Sequence, residues 1–449
     1  MFNKKINYGI LGLARSGLAA AWKIRELGGN PFLSESKPVN EFPQSDILME
    51  EFTCEFGGHT DKILDCDIII VSPGIPLDTP IIQKANAKGI KLVSELEFGY
   101  TIKAPDSKII AVTGSNGKST TVSMIHHLLK AAGYNSLLAG NIGTAFTGFS
   151  IEKPGYDYIV LEISSFQLDL IDTFKPDIAL LLNITPDHLN RYASFDHYAL
   201  SKMRIFENQD ANDYAIINAD DPVIAKYEHM IHSRKIGFSM LKKADAYFHD
   251  GTLLFPKYHD EISIQDLQIR GPHNYANCLS SVLAAFIAGV DDQTINTSIS
   301  GFKPLQHRLE FAGEINGIQF INDSKATNTD SVKYALQSYE HPVRIIMGGS
   351  DKGEDFAVLL PQLQKHAKKI YLIGATRPLM RTAYAGKMEI EEFDSFEKCI
   401  KKAYLDSEKG DVVLLSPACA SYDMFNNFEH RGESFKKIVQ DLKNEYESK

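Results

Sequence analysis

The sequence predicts an α/β protein of three domains, built on mainly parallel sheets. Short runs of continuous, not alternating, aliphatic residues recur along the chain, which is the pattern of parallel strands covered on both faces. Helix-like segments alternate with those runs, as in βαβ units. The length of 449 residues is about three times that of an average domain.

Taken in order, a strand over residues 7–13 leads into a glycine-rich turn and a helix through Leu27, and a second strand covers 68–71. The turn formers of Lys103-Ala104-Pro105-Asp106-Ser107 mark a joint. Beyond it come strands at 109–113, 158–163, 178–183 and 214–218, with a helical period from Val122 to Ala132 and another from Phe195 to Glu207. Residues 244–269 alternate polar and apolar and read as hairpin strands. A second joint falls near Gly301-Phe302-Lys303-Pro304, and strands follow at 318–322, 343–347, 370–373 and 412–416. The division expected is 1–103, 104–304 and 305–449.

A composition of 44% hydrophobic and 23% charged residues excludes collagen-like and long disordered chains. A net charge of −10 makes a poor general nucleic-acid binder but leaves anionic small ligands open. The five cysteines, Cys54, Cys66, Cys278, Cys399 and Cys419, are widely spaced and form no CxxC pair. They fit a reducing compartment better than a disulfide or zinc framework. No signal-peptide core follows the first lysines. The longest uncharged apolar stretch, 282–290, is well short of the ~20 residues that span a bilayer. The expectation is a cytoplasmic protein without a membrane span.

The strand at 109–113 runs into Gly114-Ser115-Asn116-Gly117-Lys118-Ser119-Thr120, after which the helix begins. Glycines let N–H groups turn inward around phosphate oxygens, and the helix N-terminus adds positive charge. Lys118 is placed for the β- and γ-phosphates, and Ser119 or Thr120 for Mg²⁺. The spacing departs from GxxxxGK[ST], since Val112 stands at the first glycine. The middle domain therefore reads as a P-loop-type ATPase domain.

The first turn, Gly9-Ile10-Leu11-Gly12-Leu13-Ala14-Arg15-Ser16-Gly17, is Rossmann-like and allows a diphosphate to approach. Its spacing is not GxGxxG, and a purely structural glycine turn fits it equally. Glu35, in Ser34-Glu35-Ser36-Lys37, stands where a dinucleotide unit carries its ribose-binding acid. Ser72-Pro73-Gly74-Ile75-Pro76 forms a further turn at the same sheet edge, a ligand site or an ordinary proline turn.

Glu162 ends the strand at 158–163, well placed for Mg²⁺ beside a phosphate loop. Asp187 and His188 follow the next strand, at the same edge, with metal binding and simple packing both open. Lys202, in the helical run after Phe195, reads by itself as a surface lysine.

The motifs together resemble those of the Mur ligases, ATP-dependent amide-forming enzymes of bacterial peptidoglycan precursor synthesis. The resemblance lies in the Gly114–Thr120 loop, Leu161-Glu162-Ile163-Ser164-Ser165, Asn183-Ile184-Thr185-Pro186-Asp187-His188 and Gly271-Pro272-His273-Asn274-Tyr275-Ala276-Asn277. It continues with His307-Arg308, Asn322-Asp323-Ser324-Lys325-Ala326-Thr327-Asn328, Ser416-Pro417-Ala418-Cys419-Ala420-Ser421, Asn427-Phe428 and Arg431-Gly432. These run in family order over essentially the whole chain. The Asn322 and Ser416 blocks point to the branch that adds D-glutamate.

The resemblance implies a Rossmann-like domain for the UDP end of the substrate, a central ATP domain and a C-terminal Rossmann-like α/β domain for the incoming amino acid. It implies that Leu13, Ala14, Arg15, Ser34, Glu35 and Lys37 face uridine, and that Ser72, Gly74 and Asn141 hold the diphosphate or sugar. The Ser34–Lys37 turn departs from the acid-threonine-arginine turn of close relatives, with Lys37 as its cation. Gly114, Ser115, Asn116, Gly117, Lys118, Ser119, Thr120, Asn274, Asn277, Arg308 and Asp323 match ATP positions. Ser119 and Glu162 would hold one Mg²⁺, and His188 a second. Lys202 matches a lysine that the family carries as a CO₂-derived carbamate, a further metal ligand. Lys325, Thr327, Lys352, Ser421 and Phe428 fall around the D-glutamate. Catalysis would rest on Lys118, Glu162, His188 and Lys202, with UDP-MurNAc-L-Ala and D-glutamate as substrates and a monomer as the expected state.

Competing readings are a folylpolyglutamate synthetase-like ligase, a sister ligase adding another amino acid, an NAD-dependent oxidoreductase using the first glycine turn, and a non-catalytic nucleotide-binding module. The Rossmann-like first domain speaks against the first, and the Lys118 loop against the oxidoreductase.

Overall fold

Four consecutive aliphatic residues at 68–71 cannot lie at a water-exposed face, and they form an inner strand of a parallel sheet. The computed structural model describes residues 2–42, 44–187, 191–303, 305–339 and 341–447. Its first sheet comprises β1 (Tyr8–Leu11), β2 (Phe32–Glu35), β3 (Thr53–Phe56), β4 (Ile68–Val71) and β5 (Lys91–Ser94), in the order β3-β2-β1-β4-β5 and parallel throughout. The order reverses at β1, whose neighbours are β2 and β4, so the turns after these three strands share one edge. β2, β3 and β5 escape a hydrophobicity reading because Ser34, Glu35, Thr53, Glu55 and Lys91 interrupt them.

The second sheet contains β6 (Lys108–Thr113), β7 (Ser136–Gly140), β8 (Tyr158–Glu162), β9 (Ile178–Leu181), β10 (Tyr214–Asn218), β11 (Arg234–Ser239), β12 (Ala246–His249), β13 (Thr252–Phe255) and β14 (Asp260–Ser263). Their order is β14-β13-β12-β11-β10-β9-β6-β8-β7. β6 lies between β9 and β8, all parallel, and residues 109–112 are fully buried. The loops after β6, β8 and β9 therefore emerge side by side. The alternating stretch from 244 forms β12 to β14, with β12 and β13 antiparallel.

The third sheet has β15 (Glu310–Ile315), β16 (Ile318–Asn322), β17 (Val343–Met347), β18 (Ala367–Leu372), β19 (Ile390–Glu392) and β20 (Val412–Leu415), in the order β15-β16-β20-β17-β18-β19. It is parallel except for the β15/β16 hairpin, whose Asn316-Gly317 turn has positive φ at both residues, as a two-residue hairpin requires. β20 inserts between β16 and β17, which sets the ends at Asn322, Leu415 and Met347 beside one another.

By contacts the chain divides into two compact units, Met1–Ile184 with Ser194–Ile262 and Asn277–Ile299, and Thr185–Ala193 with Ser263–Ala276 and Ser300–Lys449. Within the first unit, two buried acids of the helix Glu95–Ile102 tie the first sheet to loops of the second. Glu97 accepts from the backbone N–H groups of Asp172, Thr173 and Phe174 at 2.9–3.0 Å. Glu95 accepts from Thr147 N and Oγ1 at 2.6 and 2.7 Å. Among the described residues, no helix is long and apolar enough to cross a membrane.

Candidate active site

β6 ends at Thr113, and the chain turns through Gly114 (φ 151°) and Gly117 (φ 87°) into the helix Lys118–Ala131. The helix starts four residues before the hydrophobic period does, because Gly117 is its N-cap. A side chain at Gly117 would put Cβ 2.3 Å from Asn277 Oδ1, so both conformation and space demand glycine. Asn183, at the end of the strand-9 loop, brackets the turn. Its Oδ1 accepts from Asn116 N at 2.8 Å, its Nδ2 donates to Asn116 O at 3.1 Å, and its O accepts from Ser115 N at 2.9 Å.

Two lysines converge on the loop. Lys118 Nζ donates to the carbonyls of Gly114 and Ser115 at 2.7 and 2.9 Å. Lys202 Nζ donates to the same Gly114 carbonyl at 2.9 Å and sits 4.6 Å from the Tyr198 ring centroid. The helix Phe195–Met203 thus brings Lys202 to the phosphate loop at 2% exposure, which its sequence context alone does not reveal. Tyr198 Oη pairs with Ser115 Oγ at 3.0 Å.

Glu162 closes β8 and is buried. Ser119 Oγ donates to its Oε2 at 2.5 Å, and Asn141 Nδ2 to its Oε1 at 2.9 Å. Arg15 Nη2 donates to Asn141 O at 2.8 Å, which links the first glycine turn to the Glu162 group. Adjacent hydroxyl and carboxylate oxygens suit Mg²⁺, which takes oxygen ligands and needs only one or two carboxylates. Among the described residues no group of three or more His, Cys, Asp or Glu could hold a metal by itself. His188 lies outside the described residues. Thr120 is buried on the helix behind the loop.

At the edge of the first sheet, Glu35 Oε2 accepts from Leu13 N at 2.7 Å, and its Oε1 from Lys37 N at 3.0 Å. Burial raises the Glu35 carboxyl's pKa, but these N–H groups, the Ser36 hydroxyl and the Lys37 charge outweigh burial and hold it below the usual range. Ser72 Oγ donates to Gly12 O at 2.6 Å. A Cβ on Gly17 would sit 2.0 Å from the same Gly12 carbonyl. Ala14 caps the helix Arg15–Glu26, and a Cβ on Gly74 would meet nothing. The three turns after β1, β2 and β4 are thus interlocked, and Leu13, Arg15, Glu35 and Ser72 share one edge.

In the second unit, Asp323 follows β16 and accepts from Ser416 Oγ at 2.8 Å and Leu309 N at 3.3 Å. Burial raises its pKa to about 6, against the charge of Arg308. Lys325 Nζ lies 5.3 Å from the Phe428 ring centroid, and Thr327 N donates to Lys325 O. Lys352 lines a cavity of about 500 Å³ with Asp187, Asp330, Lys333, Glu354 and Val358. Asn328 Nδ2 donates to Asp187 at 3.3 Å. Ser421 accepts from Phe425 N at 2.8 Å through its carbonyl. Asn274 Nδ2 donates to Arg270 O at 2.8 Å. Asn277 belongs to the first unit, beside the phosphate loop, while Asn274, Arg308 and Asp323 belong to the second.

Three family models match the chain: Mur ligase MurD-like N-terminal domain over residues 7–94, Mur ligase middle domain over 112–285, and Mur ligase glutamate ligase domain over 307–419. A relative in Cytophaga hutchinsonii is 41% identical over 96% of this chain and 98% of its own. One in Geobacillus kaustophilus is 41% identical over 97% of each. Both bear the name UDP-N-acetylmuramoylalanine–D-glutamate ligase.

The chain belongs to the Mur ligase family.

The same three-domain α/β fold appears in solved Mur ligases. The UDP-N-acetylmuramate-alanine ligase of Thermotoga maritima aligns at TM-score 0.64 and 19% identity, over 98% of this chain and 100% of that one. A second Thermotoga maritima family member, the MurF ligase in complex with ADP, aligns at 0.63 and 17% identity over the same shares.

Two residues of this Mur ligase, Asn183 and Arg431, stand in motifs of the resemblance, but residue type alone gives them no role. Asn183 brackets the phosphate loop from a strand end and opens the Asn183–His188 motif. Arg431 is 2% exposed and donates to Ser324 Oγ and O, Cys419 O and Ala420 O at 2.8–3.3 Å. It joins the blocks after β16 and β20, and burial pushes its pKa down to about 10.

Proposed function

We propose that this chain is an ATP-dependent ligase that joins D-glutamate to the alanine carboxylate of UDP-N-acetylmuramoylalanine, giving ADP and phosphate. The observation that carries the reading is the loop at Gly114, where the Lys118 ammonium and the Ser119–Glu162 pair lie at the helix N-terminus. Near-full-length likeness to relatives bearing that ligase name supports the choice of substrates.

The substrate carboxylate attacks the γ-phosphorus of ATP, ADP leaves, and an acyl phosphate forms. The D-glutamate amine then attacks the activated carbonyl through a tetrahedral intermediate, and phosphate leaves. Lys118 is released from its loop carbonyls to the phosphate oxygens, where the fixed charge and the loop N–H groups stabilise the transferring group. Ser119 and Glu162 would hold Mg²⁺, with His188 for a second ion; bound there, Mg²⁺ supplies neutralising charge. Lys202, as a carbamate, would add a carboxylate beside the loop. Asn277 with Asn274, Arg308 and Asp323 binds the nucleotide in this reading. Lys325, Thr327, Lys352, Ser421 and Phe428 take the D-glutamate, whose two carboxylates suit ammonium and hydroxyl donors. Leu13, Ala14, Arg15, Ser34, Glu35 and Lys37 face the uridine end, and Ser72, Gly74 and Asn141 the diphosphate or sugar. The reading includes a division at 103/104 and 304/305, a monomer and a cytoplasmic setting.

The test is phosphate release from ATP with UDP-MurNAc-L-Ala, offering D-Glu, L-Glu, L-Ala and a diamino acid, with product mass read in parallel. Release only with D-Glu and a product one glutamate heavier is expected. Release with another amino acid assigns a sister ligation, and release with none overturns the ligase reading.

A further inference from the structure

β2 ends in a polar cluster for which phosphate transfer and glutamate binding have no use. Ser34 Oγ lies 2.6 Å from Glu55 Oε1 and 2.7 Å from His59 Nδ1. A carboxylate can only accept, so the single hydroxyl proton of Ser34 goes to Glu55, and the Ser34 oxygen accepts from His59 Nδ1–H. Glu55 is itself held by Thr60 N at 2.9 Å and by the Thr60 hydroxyl. The network fixes the tautomer, with the proton on Nδ1 and Nε2 left as an acceptor with no protein partner among the described residues. The opposite tautomer would set a bare Nδ1 against the Ser34 oxygen. Burial lowers the ring's pKa, against the charges of Glu35 and Glu55.

The loop that carries His59 is pinned to the turn after β2. Gly57 N donates to Lys37 O at 2.9 Å and Gly58 N to Glu35 O at 3.3 Å. His59, half-buried, therefore stands against the same turn that Glu35 ties to Leu13, and Lys37 on that turn is exposed. The turn presents an ammonium donor and an imidazole acceptor. A uracil edge offers the complement, a carbonyl acceptor beside the N3–H donor. Cytosine offers the reverse, an amino donor beside an N3 acceptor.

We propose that His59 reads the base of the uridine nucleotide, accepting the uracil N3–H through Nε2 while Lys37 donates to the neighbouring carbonyl. This rests on the reading that the first-sheet edge takes the uridine end of the substrate. Ser34 and Glu55 act through His59, as positioning residues that hold its tautomer.

The test uses the full chain, with UDP and CDP as calorimetric probes and the ligase assay beside them. The wild type binds UDP more tightly than CDP. His59→Phe and His59→Asn, which place no acceptor at the Nε2 position, lose about tenfold in UDP affinity, the scale of one hydrogen bond. They raise KM for the uridine substrate alike, leave kcat and KM for ATP unchanged, and bring the UDP/CDP ratio toward one. His59→Gln, whose amide oxygen reaches that position, keeps most of the discrimination. An unchanged ratio in His59→Phe and His59→Asn, with the wild type turning over the uridine substrate, overturns the role of His59 alone. A wild type that neither binds UDP nor turns over that substrate overturns the ligase reading with it.

Discussion

Ser119 Oγ and Glu162 Oε2 lie 2.5 Å apart, a hydroxyl from the phosphate-loop helix against a carboxylate from the end of β8. The contact exists because β6 and β8 are adjacent parallel strands, with Val112 opposite Glu162 in register. Glu162→Gln preserves the shape and the acceptor for Ser119 but removes the negative charge. The expected result is a loss of activity on the order of 10²-fold, with a higher Mg²⁺ requirement in a titration and an unchanged Tm. A variant with the wild-type Mg²⁺ dependence would separate Glu162 from the metal.

Lys118 donates to two loop carbonyls that a bound phosphate would replace as partners. Lys118→Ala is expected to lower kcat by at least ~10²-fold, the scale for losing one preorganised charge. Near-normal turnover would sink the phosphate-loop assignment.

Lys202 shares the Gly114 carbonyl with Lys118. If it acts as a carbamate, Lys202→Ala loses activity, and added acetate or formate restores part of it. Rescue by a small carboxylate but not by chloride at equal ionic strength is the diagnostic result; an active, unrescued variant removes Lys202 from the site.

Asp323 gives a pH signature. Its folded pKa of about 6 exceeds the ordinary carboxyl value near 3.9, so the folded state holds the proton more tightly than the unfolded chain. Its contribution is fully present below about pH 4 and is lost as pH rises through about 6. An amide does not ionise, so the Tm of Asp323→Asn should gain on the wild type by a few °C between pH 4.5 and 7. A constant difference across that range would show that Asp323 does not titrate there.

Much of this arrangement is legible in the chain. Buried parallel strands such as Ile68–Val71, Tyr214–Asn218 and Val343–Met347 are unbroken aliphatic runs, and burial on both faces is why they can be read. β2 is hidden because its Ser34-Glu35 end is polar and hydrogen-bonded to its neighbours, to Leu13 N, Lys37 N and Glu55. The Lys118 loop announces itself through local chemistry, whereas Lys202 does not. Its burial depends on Gly114, 88 positions earlier, and on Tyr198 one helical turn before it. Arg431 stands in a motif of the resemblance, but its structural role is not legible from residue type, since three of its four acceptors are main-chain carbonyls.

Those carbonyls make Arg431 the residue on which the loops after β16 and β20 depend. Ser324, Cys419 and Ala420 each give it a carbonyl oxygen, and all three are buried. Arg431→Met fills similar volume but strands these acceptors, at about 1–3 kcal/mol for each one left unsatisfied. The loops after β16 and β20 carry Lys325, Thr327 and Ser421, so their loosening should raise KM for D-glutamate more than KM for ATP. Arg431→Lys, able to satisfy one or two carbonyls, should fall between. A melting curve lowered by several °C, with the KM effect confined to D-glutamate, is the expected pair of results. An unchanged Tm would mean that the three carbonyls find other donors, and an equal rise in both KM values would place the damage beyond these loops.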